Sequence, residues 1–325
     1  MSPGYILSLI WTQLCLVLAL LGNFFLLYAS ICHGAIRLDK TSVWILRNLA
    51  VADILNVLFL LLPIIVSLYA GEWVFGVQAC NIQTAYKWCF ALANVFLLNA
   101  LALNKLLRCV YPLRCYTSSL TQRAGVTAAT VLFSVIHPVW QFYAIYHSNI
   151  LVVTFSRSQC LCWSFIDTKA SSKLETAFNA ALQIGLNAVP SLTLLVLNTL
   201  LIVYAVRKST SAVKKTNIVV VVLVIGAFLS VSLTHLVYGT LRHGVSWDDS
   251  RVAEIRVLYF SWFFINIINP FIYVLTNEGF RAFTWNFVRC RIVRTRSSNN
   301  SSIQSMAMAP QERTRIAAAY SQSCT

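Results

Sequence analysis

Residues 43–68 read VWILRNLAVADILNVLFLLLPIIVSL, an apolar run interrupted by two ionisable side chains, Arg47 and Asp53. Crossing the hydrocarbon of a bilayer takes about 20 apolar residues in a helix. A half-buried strand would alternate polar and apolar residues, and a surface helix would show a polar face every third or fourth position. This run does neither, so it reads as a membrane-spanning helix. Working outward, six further runs of the same kind lie at 6–32, 80–108, 124–146, 175–206, 218–241 and 252–275. His137 and Pro138 fall inside the fourth, where a proline is expected to bend a membrane helix without ending it.

Composition agrees with that reading. The chain has 325 residues, 58% hydrophobic and 11% charged, with a mean hydropathy of +0.71, more apolar surface than a water-soluble domain can bury. The net charge of +15 would suggest nucleic acid in a soluble protein, but its placement excludes that partner. Arg37, Lys40 and Arg47 follow the first run, Lys105, Arg108, Arg114 and Arg123 the third, and Arg207, Lys208, Lys214 and Lys215 the fifth. Arg281, Arg289, Arg291, Arg294 and Arg296 follow the seventh, whereas basic residues in the opposite loops are mixed with acidic ones. The positive-inside rule then puts the C-terminus in the cytoplasm and the N-terminus outside, and the expected location is the plasma membrane. The N-terminus lacks a basic region and a small-residue cleavage site, so the first run is expected to be its own insertion signal.

The expected fold class is an all-α membrane protein, a seven-transmembrane helix bundle with a short amphipathic eighth helix. In 278–290, Phe280, Phe283, Phe287 and Val288 recur at a helical period with Arg281 and Arg289 on other faces, which predicts a helix along the inner leaflet. Residues 1–290 form one receptor-sized domain, and 291–325, rich in Arg, Ser, Asn, Gln and Thr, read as a disordered tail.

Seven spans could also build a channel or transporter, so the polar residues inside them must arbitrate. Gly22-Asn23 in the first span, Asn48-Leu49-Ala50-Val51-Ala52-Asp53 in the second, Trp73-Val74-Phe75-Gly76 ahead of Cys80, and Asn269-Pro270-Phe271-Ile272-Tyr273 in the seventh occur in one order along the chain. With Phe280-Arg281 after them, they resemble the rhodopsin-like G-protein-coupled receptors from Ile6 to about Cys290. The resemblance implies a disulfide from Cys80 to the second outer loop, at Cys162 or alternatively Cys160, in an oxidising compartment. It also implies moving parts at Asn269, Pro270 and Tyr273, because Pro270 removes one backbone hydrogen bond and loosens the helix.

Asp53 stands out on physical grounds alone, since a charge at the centre of a membrane helix costs about 2.5–3.5 kcal/mol or more unless paired or hydrated; the plainer reading is a buried hydrogen-bonding node. The resemblance places Asp53, Asn94, Asn266 and Asn269, with Asn23, in a central cluster that holds either a sodium ion or water. No other cofactor is expected.

Two spans depart from the family pattern. The usual Asp-Arg-Tyr triplet is Asn104-Lys105-Leu106, in a register fixed by Val110-Tyr111-Pro112-Leu113. Asn104 cannot neutralise a cation and Lys105 offers a point charge in place of a planar fork, so the resting-state restraint is expected to be weaker. The sixth span has Phe228-Leu229-Ser230-Val231-Ser232-Leu233-Thr234 and lacks the family's tryptophan and proline. Pro190 fits the fifth-span proline, with Asn198 where a tyrosine is usual.

Lys87 lies about 10 Å below Cys80 along a helix, where the resemblance places a ligand-facing residue. A lysine there points to a carboxylate, phosphate or acidic peptide group; the plainer reading is a lysine snorkelling outward or paired with Glu72 or Glu254. His235 and Arg256 would complete a basic cup, with Trp88, Tyr238 and Tyr259 as walls; the plainer reading of each taken singly is packing. The seventh span has Phe263 near the site where opsins carry a lysine, which disfavours a retinal protein. Cys290, in a basic stretch, is a candidate for palmitoylation, and tail serines are candidates for phosphorylation that recruits an arrestin-like regulator.

The resemblance implies a receptor that passes binding of an extracellular, anionic or peptidic ligand to a heterotrimeric G protein near Asn104, Lys105 and Tyr273. The alternative is a decoy or constitutively biased scaffold that couples poorly. A transporter would want ionisable residues along a continuous path, and an enzyme a nucleophile–base or metal-ligand spacing; neither pattern is present, so the chain is read as no enzyme.

Overall fold

The computed structural model describes residues 3–31, 39–111, 120–147, 151–156, 161–166, 174, 177–178, 181–182, 185–186, 189–208, 264–276 and 278–288. Among them, four helical segments are long and apolar enough to cross a membrane, Leu9–Ile31, Lys40–Ala70, Gly76–Arg108 and Leu120–Tyr146, and a shorter apolar helix covers Val189–Tyr204. The helices are α1 (Pro3–Ile31), α2 (Lys40–Asn56), α3 (Leu62–Ala70), α4 (Gly76–Val110), α5 (Leu120–Tyr146), α6 (Val189–Lys208), α7 (Phe264–Thr276) and α8 (Glu278–Val288). Together they are the helical part of the seven-span bundle read from the sequence, with the sixth span outside the described residues.

The second span starts earlier than the apolar run. Asp39 caps α2, its carboxylate accepting the N–H groups of Thr41 at 3.0 Å and Ser42 at 2.9 Å, and such a cap is worth about 1 kcal/mol. Lys40 and Arg47 therefore belong to the helix and not to the preceding loop. Arg47 reaches the end of α1, donating to the Ser30 carbonyl at 2.6 Å and to Ser30 Oγ at 3.2 Å. Between α2 and α3 the helix loosens into a π turn over Val57–Leu61, where the Leu62 N–H bonds the Val57 carbonyl. Pro63 explains it: lacking an N–H, it cannot continue the ladder, which widens ahead of it. Gln83 Nε2 of α4 donates to the Leu60 carbonyl in that turn at 3.3 Å. Pro138, in contrast, sits inside an unbroken α5.

Two apolar layers pack the described bundle. Toward one end lie Cys15, Ala19, Val57, Leu61, Ile64, Leu68 and Ile267; toward the other lie Leu26, Ile45, Leu46, Leu49, Leu97, Leu101, Tyr273, Phe280 and Phe283. Along α1 and along the second span, Asn23, Asp53 and Asn56 fall between the two layers, so the buried polar groups form a shelf with apolar packing on either side. The amphipathic helix α8 is where the sequence put it, and its apolar face packs on α1: Phe280 and Phe283 are buried against Phe25, and Phe287, though exposed on its other side, also meets the Phe25 ring.

The first and seventh spans pack closely at Gly22. A Cβ built there would lie 3.0 Å from Pro270 Cγ and 3.2 Å from its Cβ, so the family's Gly-Asn pair has a packing reason. Gly22→Leu is expected to overpack this contact at a cost of about 1–3 kcal/mol, seen as a lower thermal midpoint and less folded protein at the cell surface; an unchanged midpoint would mean the spans can part there.

The loop between the fourth and fifth spans folds as an antiparallel hairpin, β1 (Leu151–Ser156) and β2 (Leu161–Ile166), with Phe155 opposite Cys162. Purely helical reasoning missed it.

Candidate functional site

The polar shelf is built by four spans. Asp53 of α2 is fully buried. Asn94 Nδ2 of α4 donates to Asp53 Oδ1 at 2.6 Å, and Asn269 Nδ2 of α7 donates to Asp53 Oδ2 at 2.9 Å. Asn94 Nδ2 also reaches Asn266 Oδ1 at 3.2 Å, and Asn56 Nδ2 reaches the same oxygen at 3.4 Å. From α1, Asn23 Nδ2 donates to the Asn266 carbonyl at 2.8 Å and to the Ala19 carbonyl at 2.9 Å. Asp53, Asn94, Asn266, Asn269 and Asn23, singled out from the sequence, thus come together. Asn56 was missed; its signal was the spacing of three from Asp53, which puts both on one helix face.

Residual bonding capacity in the shelf bears on what it can hold. The two amide donors leave free lone pairs on the carboxylate, and the amide oxygens of Asn23, Asn56 and Asn94 are buried without a partner among the described residues. A carboxylate and three amide oxygens are hard ligands of the kind a small cation takes, and they suit water equally. The residues present fit a sodium ion by donor chemistry.

At the far end of α4, Lys105 Nζ stands 6.0 Å from the centre of the Tyr273 ring, within cation–π range. Two residues read as coupling elements are therefore neighbours, and Tyr273 is buried. Asn104 turns elsewhere: its Nδ2 donates to Ser42 Oγ at 2.9 Å and lies 3.4 Å from both oxygens of Asp39. Arg108 Nη2 is 3.1 Å from Asp39 Oδ1. Sequence reasoning passed over Asp39, whose only local signal was a carboxylate just ahead of an apolar helix.

At the other end, Cys80 at the start of α4 is bonded to Cys162 of β2, with 5.4 Å between Cα atoms. This settles the choice left open between Cys162 and Cys160. The preceding Trp-x-Phe-Gly motif makes a corner: Trp73 Nε1 donates to the Gly76 carbonyl at 2.7 Å, Trp73 and Phe75 meet edge to face, and Gly76 has φ +77, a conformation that favours glycine. Asn99 of α4 donates to the Pro190 carbonyl of α6 at 2.9 Å. Lys87 and Trp88 lie on α4, and nothing is described of their side chains. His235, Tyr238, Arg256, Tyr259, Cys160 and Cys290 lie outside the described residues.

Comparison with known proteins gives one consistent picture. Residues 22–273 match the family model described as 7 transmembrane receptor (rhodopsin family). The chain is 25% identical over 298 residues to C5a anaphylatoxin chemotactic receptor 1 of Oncorhynchus mykiss, covering 86% of this chain and 80% of that one. It is 31% identical over 130 residues to galanin receptor 2a of Danio rerio, a match that spans 40% of this chain and 35% of the relative. The fold is similar to that of squid rhodopsin, with a TM-score of 0.67 at 17% identity over 89% of each chain.

Proposed function

Because the chain belongs to the rhodopsin family of seven-transmembrane receptors, we propose that it carries binding of an anionic or peptidic extracellular ligand to a heterotrimeric G protein. The observation that carries this reading is the junction at Asp53, where one carboxylate takes amide donors from α4 and α7 at 2.6 and 2.9 Å. Any shift of the seventh span relative to the third must rearrange these bonds, and a ligand that favours one arrangement biases the population. With the N-terminus outside, residues 1–290 are the receptor unit. The disulfide-tethered hairpin stands at the ligand entrance, and Lys105 with Tyr273 lies at the G-protein side. Lys87, Trp88, His235, Tyr238, Arg256 and Tyr259 are proposed to line the ligand site, a choice supported by the cation at Lys87 and by relatives named for C5a anaphylatoxin and galanin. The shelf around Asp53 is proposed to take a sodium ion, Cys290 a palmitoyl group, and 291–325 an arrestin-like regulator.

The test is nucleotide exchange by a panel of G proteins with wild type and Lys105→Arg. Wild type is expected to drive exchange in at least one. The arginine fork should raise it about twofold to fivefold, the scale of a cation–π contact worth about 0.5–1 kcal/mol. A panel silent for the wild type but responsive to the variant would replace this reading with the decoy one, which the Asn104-Lys105-Leu106 triplet favours. Acidic ligands assayed on Lys87→Ala test the pocket; affinity equal to wild type would remove Lys87 from it.

A further inference from the structure

We propose that Asp39 is the counter-charge that holds the cytoplasmic end of the third span in its resting position, acting on Arg108 directly and on Asn104 through hydrogen bonds. The proposal rests on the coupling and orientation stated above.

Charge distribution gives the first argument. Of the ten acidic residues in the chain, Asp39, Glu278 and Glu312 fall on the side crowded with basic ones, and Asp39 alone precedes the seventh span. Geometry gives the second. The Asp39 carboxylate accepts the Thr41 and Ser42 N–H groups at 3.0 and 2.9 Å and Ser42 Oγ at 2.7 Å. Arg108 Nη2 adds a contact at 3.1 Å, with the two side chains 13% and 18% exposed. Three donors from α2 thus fix the anion at the start of the second span, and the cation it faces is on the third.

Asn104 fits between them. Its amide bonds Ser42 Oγ at 2.9 Å and lies 3.4 Å from each Asp39 oxygen. A carboxylate at 104 would bring a second negative charge beside Asp39, whereas the neutral amide donates to it. In this chain the neutral amide at 104 thus stands beside the carboxylate that caps the neighbouring span. Asp39 and Asn104 are positioning residues in this account, and the restraint expected to be weak from the triplet alone is carried by a contact outside it.

The experiment uses the full-length receptor in lipid nanodiscs, comparing wild type with Asp39→Asn, Arg108→Gln, Arg108→Lys and the Asp39→Asn/Arg108→Gln pair. Asparagine keeps the helix cap and drops the charge, which separates the restraint from the cap; Asp39→Ala, losing both, measures the cap. Two readouts are needed, ligand-free nucleotide exchange on a responsive G protein and amide hydrogen exchange at 104–110. Each charge-removing variant is expected to raise basal nucleotide exchange roughly fivefold, the low end of coupling between sites, and to speed amide exchange at 104–110. The double variant should go no further than either single one, while Arg108→Lys stays close to wild type. Single variants that leave amide exchange unchanged, or whose effects simply add, overturn the proposal, as does a wild type that couples but is not made more active by either change. Faster, non-additive amide exchange with every G protein silent would uphold the restraint and defeat the coupling reading instead.

Discussion

Replacing Asp53 with leucine is expected to leave markedly less folded receptor. The carboxylate is the acceptor shared by Asn94 and Asn269, and its loss takes that partner from Asn269 Nδ2 and leaves Asn94 Nδ2 with the Asn266 oxygen at 3.2 Å, in a shelf that already holds the unpartnered oxygens of Asn23, Asn56 and Asn94. A stranded donor costs about 1–3 kcal/mol, so the two lost bonds together cost at most about 6 kcal/mol, which reaches the low end of a typical domain's stability, about 5–15 kcal/mol. The readouts are the thermal midpoint in detergent and the amount of receptor at the cell surface. Asp53→Asn keeps the shape and one acceptor and should fold with a smaller loss. It also tests the cation. For wild type, replacing an organic cation by sodium at constant ionic strength should raise the midpoint, because a ligand that binds the native state stabilises it; for Asp53→Asn the response should vanish. A wild type indifferent to sodium would leave the shelf to water.

The second large effect is expected at the outer end. Cys80 and Cys162 are separated by 82 residues in sequence, and cutting a cross-link that closes a loop of this size typically costs about 2–5 kcal/mol. Cys80→Ser should lower the thermal midpoint and free β2 from α4, weakening ligand binding as well as stability. The double change Cys80→Ser/Cys162→Ser should be no worse than Cys80→Ser alone, since either one breaks the same bond. Reductant should lower the midpoint of wild type but not of the double variant. If reductant leaves the wild type unmoved, the bond does not support the fold.

The spans were legible because their signal is local. In hydrocarbon every backbone N–H and C=O must be satisfied within the segment, so an apolar run of sufficient length has little choice but a helix. The Asp53 cluster was half legible: single buried polar residues draw attention in any apolar run, and Asn94, Asn266 and Asn269 were placed with Asp53 by resemblance. Their actual partners, and the part played by Asn56, depend on how four helices rotate against one another. The π turn at Val57–Leu61 could have been read from Pro63, which removes a donor from the ladder; the hairpin could not, because 151–156 and 161–166 are apolar and aromatic enough to suit several structures.

The sequence by itself determined the seven-span bundle, the placing of Cys80 and the buried carboxylate at Asp53, all set by residues within a single helix or loop. Only the tertiary structure decided that Cys162 bonds Cys80, because the hairpin register brings that sulfur to α4. It alone revealed that Asp39 faces Arg108. A carboxylate before an apolar helix announces a cap from its neighbours in the chain, whereas an ion pair between two spans is set by where packing brings their ends together.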